Sequence, residues 1–246
     1  MNADTSRLRI VTFGDVAQGF WGAACAGAVS GLALGSPSHA DAKDAVTIED
    51  VDWSGQWRLQ TEGVDLRLRD QDQPADQPVE ATSDRLVSVS GTVVMPDGER
   101  EVDCLGRRGE RPWPPLERFA AVRDVSAWFE GGEGVALSAT RPAGPAGHDA
   151  DATDATLFEA GVAVPVADPR LSTTYSSEHV PWRLGLELRL QGGEEDEPEQ
   201  YPRRIAGESM GPGARWKAGE LALWAGGFRC VSGGRAGTGV YVLAST

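Results

Sequence analysis

Apolar and polar side chains alternate along most of this chain with the period of a strand rather than that of a helix. Val64, Leu66 and Leu68 fall on one side and Asp65, Arg67 and Arg69 on the other, the pattern of a strand with one face buried and one in water. Arg85 to Met95 continues the alternation, and Pro96-Asp97-Gly98 then turns the chain into Glu99 to Cys104, the strongest hairpin signal present. Trp182, Leu184, Leu186, Leu188 and Leu190 alternate with Arg183, Gly185, Glu187 and Arg189, predicting the clearest strand of all. Further strands are expected at Leu8–Phe13, Val125–Phe129, Val135–Thr140, Leu221–Val231 and Gly239–Leu243. Glycine-rich turns at 130–134 and 232–237 join the last four into hairpins. One short helix is predicted near Pro115–Val122, where Pro114-Pro115 lead into Leu116, Phe119 and Ala120 at helical spacing.

Three stretches read as loops: 70–84, rich in Asp, Gln and Pro; 141–155, where Asp alternates with Ala; and the acidic 191–199. The strands fall into two runs. The predicted fold is therefore all-β, with two successive antiparallel barrel or sandwich halves packed together. Residues 1–105 form the first half and 106–246 the second, joined by the Arg- and Pro-rich segment 106–115. No residue-level repeat relates them.

Val16 to Ala40 carries no Asp, Glu, Lys or Arg, and Ser38-His39-Ala40 resembles a cleavage site after an apolar stretch. Asp4 and Asp15, however, stand where a signal peptide needs positive charge, and glycines interrupt the apolar run. A spanning helix is disfavoured for the same glycines. Two buried strands are the preferred reading.

Charge narrows the classes of partner. The 37 acids against 23 bases give a net charge of −14, which repels a phosphate backbone and an anionic membrane surface. Nearly all the bases are arginine, Lys43 and Lys217 being the lysines; codon bias of a high-GC genome is the first explanation and salt adaptation the second. The three cysteines, Cys25, Cys104 and Cys230, are far apart and form no C-x-x-C, so buried thiols in a reducing, cytoplasmic compartment are expected. His39, His148 and His179 are isolated, and no calcium-loop, phosphate-loop or Gly-x-Ser-x-Gly pattern is present. No metal and no cofactor is expected.

The densest chemistry lies in Gly106-Arg107-Arg108-Gly109-Glu110-Arg111-Pro112-Trp113-Pro114-Pro115. A carboxyl beside an indole in an apolar mouth can be tuned as a proton donor, and an indole face stabilises a cation. The same residues also suit a plain structural role, with Arg–Glu pairs and a Trp plug closing the end of a barrel, and that reading is preferred. The candidates are Glu110 as general acid and Trp113, Trp128, Arg108 and Arg111 as ligand-binding residues.

The order of these features resembles the lipocalin-like family that includes hydroxyneurosporene synthase, a carotenoid hydratase, and more distantly tocopherol cyclase. That family carries Gly-x-Arg-Asp-x-Ser-Trp-Gly near the junction of its two barrel-like halves. Glu110 and Trp113 match its acid and tryptophan, and Gly106–Arg108 its start, whereas Gly109, Pro112 and Pro114 replace its arginine, serine and last glycine. Tyr201–Glu208 and Gly237–Tyr241 are further echoes. The resemblance implies a lipocalin-like protein that holds a lipophilic, terpenoid-like molecule in an apolar cavity. Its alternative is a terpenoid hydratase or cyclase using Glu110, and a filled, purely structural β protein is the third reading.

Overall fold

Two nine-stranded antiparallel sheets carry the alternation. The computed structural model describes residues 7–51, 56–71, 84–95, 98–144, 150–160, 162–190 and 201–246. The first sheet contains β1 (Arg7–Asp15), β2 (Phe20–Gly27), β3 (Gly31–Gly35), β4 (Ala40–Lys43), β5 (Thr47–Asp50), β6 (Trp57–Thr61), β7 (Val64–Asp70), β8 (Arg85–Met95) and β9 (Gly98–Pro112). The second contains β10 (Phe119–Phe129), β11 (Glu133–Pro142), β12 (Ala152–Glu159), β13 (Val162–Tyr175), β14 (Pro181–Leu190), β15 (Arg203–Ser209), β16 (Ala214–Ala218), β17 (Leu221–Ser232) and β18 (Arg235–Ser245).

Both sheets are meanders whose first and last strands are neighbours. In the first, the order β4-β3-β2-β1-β9-β8-β7-β6-β5 leaves a half-barrel open between β4 and β5. In the second, the order β15-β14-β13-β12-β11-β10-β18-β17-β16 is closed by an added β15–β17 ladder, so eight strands form a barrel with β16 outside it. The fold is thus two lipocalin-like halves, one open and one closed.

Three apolar clusters explain the residue pattern. Val11, Phe13, Leu59, Leu66, Val89 and their neighbours fill the first half. Val125, Leu137, Leu186, Phe228 and Tyr241 fill the second. A third cluster, including Ile10, Trp21, Ala23, Trp216, Leu223 and Val242, lies in the seam between them. Strands with one wet face, such as β7 and β14, alternate cleanly. Strands β2 and β3 face the first interior on one side and the seam on the other, which accounts for the uncharged run. The two halves exchange indoles across the seam. Trp21 of β2 lies against Gly35 and Gly227, and Trp216 of β16 against Gly31, with each ring occupying the space a Cβ would need.

Several expectations are corrected. Residues 106–112, read as part of a connection, are the second half of β9 and pair with β1 from Arg7↔Pro112 to Phe13↔Gly106. The predicted helix is a single 3-10 turn, Leu116–Arg118. It stops there because Phe119 is drawn into the seam as the first residue of β10, leaving Leu116 exposed. Within 141–155, the acidic Ala152–Asp154 begins β12 instead of continuing a loop, pairing with Ser138–Thr140. Strand β13 was not foreseen: Pro165 and Pro169 hide its pattern, and its register with β14 shifts between Val166 and Asp168. Strands β8 and β9 on either side of Pro96-Asp97 pair as expected, with Met95 opposite Gly98, and Pro96 and Asp97 lie outside the described residues. Trp53, His148, most of 70–84 and the tip 191–199 lie outside the described residues. Among the described residues, no helix is long and apolar enough to cross a membrane.

Candidate functional site

Because side chains alternate along β9, the candidates of 106–115 are divided between two environments. Arg108 and Glu110 face the first half, and Arg107 and Arg111 face the seam. Arg108 donates to both oxygens of Asp70, at 2.5 and 2.6 Å, and its guanidinium lies 4.6 Å from the Trp57 ring centroid. Arg9, opposite Glu110 on β1, lies 5.1 Å from the same ring and donates to Asp50 at 2.7 Å, to the Ile48 carbonyl at 3.1 Å and to Glu110 at 3.3 Å. Glu110 also accepts from Arg7 at 2.6 Å. These arginines and carboxylates form one network around the Trp57 indole, in which Arg7 and Arg9 flank the Glu110 carboxylate.

On the opposite face, Arg107 is fully buried. It donates to Asp124 of β10 at 2.7 Å and pairs with Asp84. Arg111 pairs with the other oxygen of Asp124. Burial, then the neighbouring Arg107 charge, pull the Arg111 guanidinium down to about 10, against the opposing pull of Asp84, so it remains charged at neutral pH. The hydroxyls of Thr12 and Ser126 meet at 2.7 Å in the same seam. Arg111, Asp124 and Trp113 border a small cavity with Leu8, Ile10, Cys25 and Val122. Trp113 packs edge-to-face on Phe119, with ring centroids 5.6 Å apart. The cavity volume is about 20 Å³, room for a single water and not for an organic molecule. The sequence brings Arg111 and Trp113 forward; Asp124, the acid that joins them, sits in an unremarkable strand and carries no local signal.

Trp128 belongs to a third place. Its indole donates to the Gly14 carbonyl at 3.3 Å, tying β10 to the first half. It lines an open groove of about 510 Å³ at one end of the seam, formed with Gly14–Ala17, Ser88, Asp103–Leu105, Phe129, Glu130 and Ala236–Thr238. A second groove of about 620 Å³ runs between β4 and the 176–182 and 209–215 segments, with Trp182 and Trp224 in its wall among serines, Asp41, Glu178 and Arg215. Among the described residues, no three metal-ligating side chains converge.

The cysteines are free. Burial pushes the Cys25 and Cys230 thiols up to about 12, so both stay protonated and inert at neutral pH. In the folded protein a thiol-reactive probe at about pH 8 should leave Cys25 and Cys230 unlabelled, and denaturant should expose both. Prompt labelling of either without denaturant, mapped by mass spectrometry, would contradict this packing.

The arrangement defines a two-part lipocalin-like protein in which Arg107 and Arg111 are committed to the seam and Arg108 and Glu110 to ion pairs on the first half's side of β9. No protein-family model and no curated protein matches the sequence. Solved structures do resemble the fold. A Nitrosomonas europaea protein described as an AttH aligns with a TM-score of 0.60 and 12% identity over 100% of this chain and 94% of its own. CghA with Sch210972 aligns at 0.57 and 11% identity over 98% and 89%. Kievitone hydratase from Nectria haematococca aligns at 0.50 and 9% identity over 99% and 92%. At these identities the likeness is one of fold.

Proposed function

We propose that this chain binds a lipophilic, terpenoid-like small molecule in the groove at the Trp128 end of the seam. The observation that carries the reading is the groove itself. About 510 Å³ is walled by both halves, with Trp128, Phe129, Leu105 and Val16 as its apolar lining, within the range typical of small-molecule sites. The interiors of both halves are filled by their own side chains, and the cavity at Trp113 is too small. The second groove has the volume but a more polar wall. That CghA, a protein of similar fold, was solved with Sch210972 supports the capacity of this architecture for an organic ligand.

A second reading, hydratase- or cyclase-type catalysis with Glu110 as general acid, requires a substrate to displace Arg7 and Arg9 from that carboxylate.

Retinol tests the first reading, since its conjugated chain accepts tryptophan excitation energy. Titration should give saturable quenching at micromolar concentration, about −8 kcal/mol, with Trp128→Phe lowering the amplitude and Trp182→Phe leaving it unchanged. Linear, non-saturating quenching across retinol and longer isoprenoids would leave the filled-barrel, structural reading in its place.

A further inference from the structure

We propose that the ligand of the Trp128 groove carries a cationic head group, an amine at the end of an apolar body, and that carboxylated ligands are rejected. This rests on the binding reading above and narrows it. Asp15 closes β1, Asp103 lies on β9 and Glu130 follows β10, so both halves contribute a carboxylate to the lining. Among the described residues that form the groove, there is no arginine, lysine or histidine.

Among the described residues, many acids outside the groove are paired with arginines. Asp50, Asp65, Asp70, Asp84, Asp124, Asp151, Glu110, Glu133 and Glu208 all form ion pairs. Asp103 and Glu130 are exposed and have no ion-pair partner among the described residues. Among the described residues, the Asp15 carboxylate accepts from the backbone N–H groups of Ala17 and Gln18, at 2.7 and 3.4 Å, and from no arginine or lysine. Asp15 and Asp103 both act on the Cys104 thiol between them, pushing it further up after the larger effect of burial. Three carboxylates around an apolar floor complement an amphiphile with a positive end, and a carboxylate there adds a fourth negative charge without a donor to meet it.

The matched set retinylamine, retinol and retinoic acid holds the apolar body constant and varies the charge. Titrating the full chain at about pH 7 and low salt, the amine should bind roughly fivefold more tightly than the alcohol, and the acid more weakly by a similar factor, as expected for pairs at a wet rim. Raising the salt to about 0.5 M should compress the series. The double variant Asp103→Asn, Glu130→Gln should bring the ratio of amine to alcohol affinity down towards one. Retinoic acid binding as tightly as retinylamine overturns the inference. So does an amine preference that survives the double variant, because it would then reflect the net charge of the whole chain. Retinol failing to saturate would instead overturn the binding reading itself.

Discussion

Asp124→Ala is expected to destabilise the chain by about 3 kcal/mol or more, lowering the midpoint of thermal unfolding by roughly 6–12 °C for a protein of this size. The carboxylate serves two guanidiniums, Arg107 and Arg111, and Arg107 has no access to solvent. Without Asp124, Arg107 retains Asp84 but Arg111 keeps a largely buried charge with no ion-pair partner among the described residues. The loss comes mainly from that uncompensated charge and not from the intrinsic worth of the pair. Asp124→Leu combined with Arg111→Met should therefore recover most of the stability, since removing a whole buried pair is often neutral. The exposed pair Arg170–Asp168 supplies the contrast: Asp168→Ala should cost less than about 1 kcal/mol. A midpoint for Asp124→Ala within about 2 °C of the parent would show that the seam cluster is solvated in solution.

Trp21→Ala should cost about 3–5 kcal/mol, the range for truncating a fully buried aromatic side chain. Trp21 has no solvent exposure and fills the space between Gly35 of its own half and Gly227 of the other. Its indole N–H has no hydrogen-bond partner among the described residues, so the ring is held there by packing alone, against a desolvation cost of about 1–3 kcal/mol. Trp21→Phe, which removes that N–H and keeps most of the ring, should be much milder. Gly227→Ala should itself cost about 1–3 kcal/mol by overfilling the seam, and the cost should shrink in the Trp21→Phe background because the two side chains compete for one space. Additive losses in that double variant would mean that Trp21 and Gly227 do not meet.

The all-β class and most of its wet-faced strands were legible because one buried face imposes a period that the sequence displays directly, as in β7, β8 and β14. The uncharged run 16–40 was legible as buried strands but not as the seam, since burial on both faces leaves an apolar composition without saying what lies on either side. Pro165 and Pro169 obscured β13. The site was read less fully. The cluster 106–115 drew notice for its composition, yet β9 sends alternate residues of it to opposite sides of a sheet, so Glu110 and Arg111 do not share a site. Glu110 meets Arg7 and Arg9 of the distant β1, and Arg111 meets Asp124 across the packing of β9 on β10. Pairings of that kind are set by register and packing, which no local motif encodes.

The adjacency of first and last strands in each half also sets an order of events during synthesis. β1 gains its β9 neighbour only after Gly98–Pro112 has left the ribosome, and β10 is unpaired on one side until Arg235–Ser245 emerges. Each half therefore spends most of its translation as an open curled ribbon with a free edge, the state most exposed to pairing with another nascent chain. Between the two closures the finished first half presents its seam face, Trp21 included, to water. Strand β10 covers part of that face first, through Phe119, Asp124 and Trp128, but Trp21 is covered only when β17 arrives. The nascent chain's demand for chaperone protection should therefore peak after the first half has folded and fall once the second half closes over it.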